Sequence, residues 1–461
     1  MKIARGLKAA RAMLLAPTRE AGEAPPEVRG RLKEVFASEI GPEEAVARII
    51  SDVRSMGDSA LFDYSARIDG VGLDHLEVAR SEVEAAHGAL ADDLRAALKT
   101  AAQEIEAFHR SQMRHAMSGF MEGGLGQVVR PLERVGIYVP GGSAPYPSTV
   151  LMSAIPARVA GVAQVFLATP PGHGGTVPAP TLVAADIAGV DRIFKVGGAQ
   201  AIAALAYGTQ SVPRVDKVVG PGGLFVTLAK RMVAGDVGID MLAGPTETVI
   251  IADDGADVAL CAADLLAQAE HDVLAQAFLI TTSVELAHRV NAEVERQLGT
   301  LERGDTARRS LEERGGIMVV ATMEQAIELV NVRAPEHLAL MVHRASSYVD
   351  RIVNAGTIFI GEASAETLGD YVAGPSHVIP TAGTARYSSP LGVGHFLKSI
   401  NVVSLSDDDV HRLGPAAAAI ARAEGFTAHA RAVERRLERE GTGKKERAGL
   451  APGEGEADER S

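Results

Sequence analysis

The sequence predicts an α/β protein built from two doubly wound units with helical extensions at both ends. From Val135 onward, short apolar β-prone runs alternate with Ala-rich helical stretches, the pattern of parallel sheets covered on both faces. The alternation falls into two blocks of similar length, about 135–248 and 249–362. The 461 residues, 46% apolar and 23% charged, are enough for about three structural units and a sizeable core.

The chain opens with a basic stretch that carries no acid before Glu20. Its only apolar patch, AMLLA, is shorter than the ~7–15 residues of a secretory core. This stretch reads as an amphipathic arm, although a transit peptide has a similar composition. Gly41-Pro42-Glu43-Glu44 sets a proline and two acids in a first helical turn. Val46, Ile49, Ile50 and Val53 then repeat at helical spacing. Ser81-Glu82-Val83-Glu84 predicts a capping box at the head of one long helix reaching about Gln112.

In the first block VGIYV, QVFLAT, RIFKV and DKVVG are the strands, each followed by a helix, from Thr149, Thr181, Ala199 and Leu224 in turn. In the second block TVIIAD, AFLITT, IMVV and TIFIG are the strands, with helices from Ala256 and Val284. After Gly361 the sequence becomes turn-rich and then predicts a helix from about Thr427. The last segment, 441–461, is polar, Gly-rich and charged, and reads as disordered.

Composition narrows the function. A single cysteine excludes a disulfide framework and any multi-Cys metal site, and makes a reducing cytoplasm the expected compartment. With 46 basic and 59 acidic residues, the net charge of −13 argues against nucleic acid as a partner. No apolar run reaches the ~18 residues of a membrane helix. The P-loop, the H-E-x-x-H motif, the G-x-S-x-G elbow and the G-x-G-x-x-G fingerprint are all absent. Gly220-Pro221-Gly222-Gly223, between a strand and a helix, is the nearest approach to a phosphate-binding turn. Pro140-Gly141-Gly142 is similar; both read equally as tight turns.

Thirteen histidines direct attention to metal and acid–base chemistry. Gln268 and His271, three apart late in a predicted helix, share a face and can offer two ligands to one ion. Taken alone they read as a polar surface patch. Glu336 and His337 follow Pro335 in a turn, where a carboxylate and an imidazole side by side suit two different proton transfers. Asp370 and His377 fall in a Gly/Pro-punctuated loop after a strand, a place where α/β folds keep their sites. Glu424 and His429 flank the start of the closing helix.

Together these segments are far more specific. VGIYVPGGSAPYPSTVLMSAIPARVAGV, VGGAQAIAALAYGTQSVPRVDKVVGPGG, DMLAGPTETVIIAD, DLLAQAEHD, APEHLAL, GDYVAGPSHVIPTAGTARYSSPLGVGHFLK and EGFTAHARAV stand in the order and spacing of histidinol dehydrogenases. From about residue 30 to 440 the chain resembles that family.

The resemblance implies two Rossmann-like units in an intertwined homodimer, and oxidation of L-histidinol to L-histidine with two NAD and a bound zinc. It implies an arm over 1–30 and a first α/β domain split between 31–134 and 248–390. An NAD-side domain would span 135–247, with a dimerisation segment over 391–440 and a tail over 441–461. Gln268, His271 and Asp370 would be zinc ligands, with His429 the fourth, from the partner subunit. His337 would be the base for the hydroxyl proton, and Glu336 would activate water. Thr246, His377 and Glu424 would join the zinc ligands and His337 around the substrate. Tyr138 and Gln200 would meet NAD.

The chain departs from the family at Gly223, where Asn is usual in the NAD site, and at Thr246, where Ser is usual. Ser376 stands where Asn is common, and Gly394-His395 where an aromatic–acid pair is usual. A dehydrogenase of another small polar alcohol, such as a sulfonated diol, and a non-catalytic zinc-binding relative are the alternatives.

Overall fold

The computed structural model describes residues 1–16, 26–141 and 144–439. The segment 441–461, expected to be disordered, lies outside them, as does Gly142 of the second glycine turn.

Fourteen strands form three sheets among the described residues. In chain order they are β1 (Ile3–Arg5), β2 (Phe120–Glu122), β3 (Leu125–Pro131), β4 (Arg134–Tyr138) and β5 (Gln164–Thr169). There follow β6 (Arg192–Lys195), β7 (Lys217–Val219), β8 (Gly238–Ile239), β9 (Glu247–Ala252) and β10 (Gln276–Thr281). The last four are β11 (Gly316–Val319), β12 (His337–Met341), β13 (Thr357–Ile360) and β14 (Leu397–Val403).

The chain divides into two compact units. One comprises residues 1–114 and 132–396 and holds two all-parallel sheets, ordered β1-β11-β10-β9-β12-β13 and β6-β5-β4-β7-β8. These are the two doubly wound sheets that the apolar alternation predicts. The other unit, from residues 115–131 and the chain beyond 396, holds the antiparallel sheet β14-β3-β2 and the helices Asp407–Ala423 and Thr427–Leu437.

The six-stranded sheet is buried on both faces because its strands are apolar throughout. Successive side chains of β9 point to opposite sides. Ile250 packs with Leu279, Ile317, Leu265 and Val290, whereas Val249 and Ile251 pack with Phe278, Leu338, Leu329 and Leu14. Two helices on the Ile250 face are started by side-chain caps. Asp257 accepts from the Ala259 and Leu260 amides, and Ser283 from the Leu286 amide.

On the five-stranded sheet, Phe166 and Phe194 meet edge to face with centroids 6.3 Å apart. Helices Pro42–Met56 and Gly198–Tyr207 pack over them through Val46, Ile49, Ile202 and Leu205. At the end of β7, Gly220 (φ 113°) crosses β4 so closely that a Cβ would stand 2.1 Å from the Tyr138 carbonyl oxygen. Buried Lys230 ties this turn down, bonding the Gly220 carbonyl at 2.9 Å and pairing with Asp240.

Two expectations need correction. The long helix over 81–112 is two helices, Arg80–Ala89 and Asp92–Arg114, since the chain turns extended at Leu90 to bury that side chain. The start of the first is fixed by Glu82 accepting from the Ala79 amide at 3.0 Å, so Ser81 is not its cap. Asp370 lies not in a loop but in a short helix, Glu366–Tyr371.

Replacing Ile250 with Ala opens a cavity at the centre of β9, where the strand is sealed on both sides. It is expected to cost about 2–5 kcal/mol, read as a lower urea midpoint at unchanged m value.

Candidate active site

The site is built where the helix Met323–Arg333 gives way to β12. Ala334 closes that helix in the left-handed region (φ 54°), and Pro335 has no amide with which to continue it. Glu336 is thereby the last loop residue, and His337 the first of β12.

The Glu336 carboxylate is buried and anchored. One oxygen accepts from the Thr246 hydroxyl at 2.6 Å and from the Glu247 amide at 2.8 Å. Gln268 donates its amide N–H to Thr246 at 2.9 Å, which leaves the buried Gln268 Oε1 with no donor. Burial pushes the Glu336 carboxyl up to about 7, against the charge of His337 and the two hydrogen bonds.

Three carboxylates surround His337. Glu366 lies 3.4 Å and Glu336 3.8 Å from Nδ1, and Asp370 lies 3.6 Å from Nε2. Neither ring nitrogen makes a hydrogen bond. Burial works against a charged ring, but Glu366, Glu336 and Asp370 outweigh it and raise the imidazole to about 10. Glu366 is itself pushed up to about 7 by burial. Asp370 is held below the usual carboxylate range, because His337, His377 and His271 overcome the cost of its burial.

His377 is tied at both nitrogens. Nδ1 faces the Asp370 backbone carbonyl at 2.8 Å, and Nε2 faces the Thr149 hydroxyl at 2.9 Å. A carbonyl only accepts, so Nδ1 carries the proton and Nε2 accepts from Thr149. Burial keeps this ring neutral by lowering its pKa. A cavity of about 300 Å³ opens alongside, lined by Asp370, His377, Phe359 and Pro375.

Ligand atoms of His337, Glu366 and Asp370 lie within 4.8 Å of one another. With the orphaned Gln268 oxygen and the two unbonded His337 nitrogens, they are a nitrogen and oxygen donor set of the kind zinc accepts. The residues present fit such an ion.

On the five-stranded sheet, with β4 central, β5 and β6 lie to one side and β7 and β8 to the other. That is the order 3-2-1-4-5, the classic doubly wound order short of its sixth strand. Tyr138 ends β4, and its hydroxyl accepts the Gly198 amide at 3.1 Å. Gln200, in the first turn of the next helix, is fully buried with both amide atoms unpartnered.

The histidinol dehydrogenase family model matches residues 36–437. The chain belongs to the histidinol dehydrogenase family. The enzyme of Dehalococcoides mccartyi is 52% identical over 401 residues, covering 87% of this chain and 92% of that one. That of Deinococcus radiodurans is 51% identical over 419 residues, covering 90% and 95%. The crystal structure of histidinol dehydrogenase from Elizabethkingia anophelis superposes with a TM-score of 0.85 at 35% identity, covering 95% of this chain and 98% of that one. As a member of this family the chain is an oxidoreductase.

Within this histidinol dehydrogenase scaffold, Thr246, Gln268, Glu336, His337, Asp370 and His377 gather in one unit around the head of β12. His271 stands past the end of the helix Val258–Ala269, exposed, in the field of Asp370 and His337. Glu424 and His429 belong to the second unit and are exposed. At Gly223 an added Cβ would meet nothing within 4 Å, so the position of the usual Asn is open space. Sequence reading missed Glu366 and Thr149. Glu366 and Asp370 are four apart, the spacing of one helix face, but that signal is invisible in a segment read as a loop.

A methyl group at Gly356 would stand 2.5 Å from the Glu336 carbonyl oxygen and 2.1 Å from Ile379. Gly356→Ala is expected to cost about 1–3 kcal/mol by overpacking, seen in urea unfolding, and to lower turnover by displacing the Glu336–His337 pair.

Proposed function

We propose that this chain catalyses the four-electron oxidation of L-histidinol to L-histidine. The observation that carries the reading is the buried Glu336–His337 pair at the head of β12, with the Asp370 carboxylate 3.6 Å from the imidazole. Gln268, His271 and Asp370 hold zinc, with His429 of the partner subunit, in a homodimer. Exposed apolar side chains of the second unit, among them Phe120, Val403, Ile420 and Phe426, support a face that a second copy covers. When bound, zinc supplies a Lewis-acid anchor for the imidazole and amine of the substrate, and NAD supplies the hydride acceptor.

His337 takes the proton from the substrate hydroxyl in the first oxidation. Asp370, one of the three carboxylates around the His337 ring, would be drawn on by a bound cation, which would favour the neutral ring that a base requires. Glu336 accepts a proton from the water that adds to the aldehyde carbon, so that the hydrate can lose its own hydride. Its Thr246 and Glu247 hydrogen bonds aim one oxygen and leave the other for water. Thr246, Glu424 and the neutral His377 complete the substrate's surroundings. Retaining the aldehyde within the site protects a fragile amino-aldehyde from side reactions. NAD lies along the five-stranded sheet, near Tyr138 and Gln200, with the Gly223 turn at its edge.

Purified protein loaded with zinc should form two NADH per L-histidinol consumed. A chelator should abolish the reaction and zinc should restore it; one NADH per substrate, or none, would sink the proposal. Glu336→Gln and His337→Asn should each lower turnover by roughly 100-fold or more while metal analysis still finds zinc. Because Glu336 must be ionised to act and burial pushes it up to about 7, oxidation of L-histidinaldehyde should decline as pH falls through about 7. A rate flat from pH 8 to pH 6 would remove the water-activating role.

A further inference from the structure

A cavity of about 500 Å³ lies at the carboxyl ends of β4 and β5, lined by Asp69, Tyr138, Pro140, Thr169, His173 and Gly198 among others. In doubly wound sheets this end of the strands is where nucleotides bind, and the strand beside the central one carries the acid that reads the ribose. Here that strand, β5, runs out through Thr169-Pro170-Pro171-Gly172-His173 and offers no acid. A carboxylate reaches the same cavity from another part of the chain.

Asp69 closes the π-helical turn Ser65–Asp69, ahead of Gly70 in the left-handed region (φ 70°). Arg31 holds this turn, donating to the Arg67 and Ile68 carbonyls at 3.2 and 3.0 Å. One carboxylate oxygen of Asp69 is sealed from solvent with no donor. Burial pushes the group up to about 6, with only the charge of Arg31 opposing. The guanidinium of Arg31 is already spent on those carbonyls and on Glu34. An orphaned acceptor in a cavity walled by Tyr138 and proline rings calls for a ligand with a flat ring and hydroxyl donors.

We infer that this cavity takes the adenosine end of NAD and that Asp69 accepts hydrogen bonds from its ribose hydroxyls, making Asp69 the residue that selects NAD over NADP. The inference rests on the reading that the chain uses NAD. A 2′-phosphate in place of the hydroxyl would bring a second anion against the Asp69 carboxylate, and like charges so placed are strongly unfavourable.

The test uses 5′-AMP and 2′,5′-ADP as probes of the adenosine half, by calorimetry on the zinc-loaded enzyme and by competition with NAD during L-histidinol oxidation. The wild-type enzyme should bind 5′-AMP competitively with NAD and prefer it to 2′,5′-ADP. Asp69→Asn should reduce that preference, and the ratio of kcat/KM for NAD over NADP, by at least about tenfold. Asp69→Ser, smaller but still polar, should move both in the same direction. If both variants keep the preference within about twofold, or if 5′-AMP binds without competing with NAD, the assignment of Asp69 is overturned. A wild-type enzyme that neither binds NAD nor reduces it would instead strike down the NAD reading itself, before any variant is made.

Discussion

Three carboxylates share one imidazole in a place that water barely reaches, and the geometry around β12 follows from satisfying them. Buried charge is costly unless it is paired or hydrogen-bonded. Strand register supplies the partners. His337 stands opposite Thr248 on β9 and Thr357 on β13, so the Thr246–Glu247 segment is set beside Glu336 and Gly356 runs against its carbonyl. The chain leaving β13 then returns through the short helix Glu366–Tyr371 with two acids on its inner face. Beneath, buried Glu247 is itself paired with Arg333, which also bonds Gln276 at 2.9 Å. A one-residue slip of β12 would turn His337 to the opposite face and leave each of these groups without its partner.

How much of this could be read from the sequence depended on how local the cause was. Eight of the eleven strands of the two parallel sheets announce themselves because each is an apolar run, and helices such as Val284–Leu298 because a serine caps them. Elements that owe their existence to distant partners did not show. Ile3–Arg5 is three residues long and is a strand only because β11 pairs with it. β14 is mostly exposed, and β3 alone reveals it. The break at Leu90 buries that side chain, and the local signals for it, Gly88 before and Asp92-Asp93 after, are passed over when the segment is read as one helix.

The site was readable in the same uneven way. Glu336 and His337 stand out as adjacent acid and base after a proline, yet nothing local says that Thr246 holds one or that Glu366 flanks the other. Those contacts span ninety residues in one case and arise from a helix too short to show periodicity in the other. The family motifs supplied what spacing could not, because they carry the joint constraint of many segments at once. Glu366 and Asp69 fell outside that constraint, and tertiary structure alone brings Glu366 beside His337 and Asp69 to its cavity.

The six-stranded sheet is not continuous in the chain. β1 belongs to it, then the whole five-stranded sheet intervenes, and the remaining five strands follow from Glu247. A ribosome delivering this chain from its N-terminus therefore presents β1 long before its neighbour exists, since Gly316–Val319 must be synthesised first. The five-stranded sheet can close while β1 waits as an unpaired edge, and the long loop that β1 must finally close makes its docking a late event. During that interval the nascent chain carries a three-residue segment whose backbone groups have not yet met their partner strand. Vectorial synthesis thus imposes an order of assembly on this molecule, with the five-stranded sheet first and the sheet that bears His337 completed only when its earliest strand is recaptured.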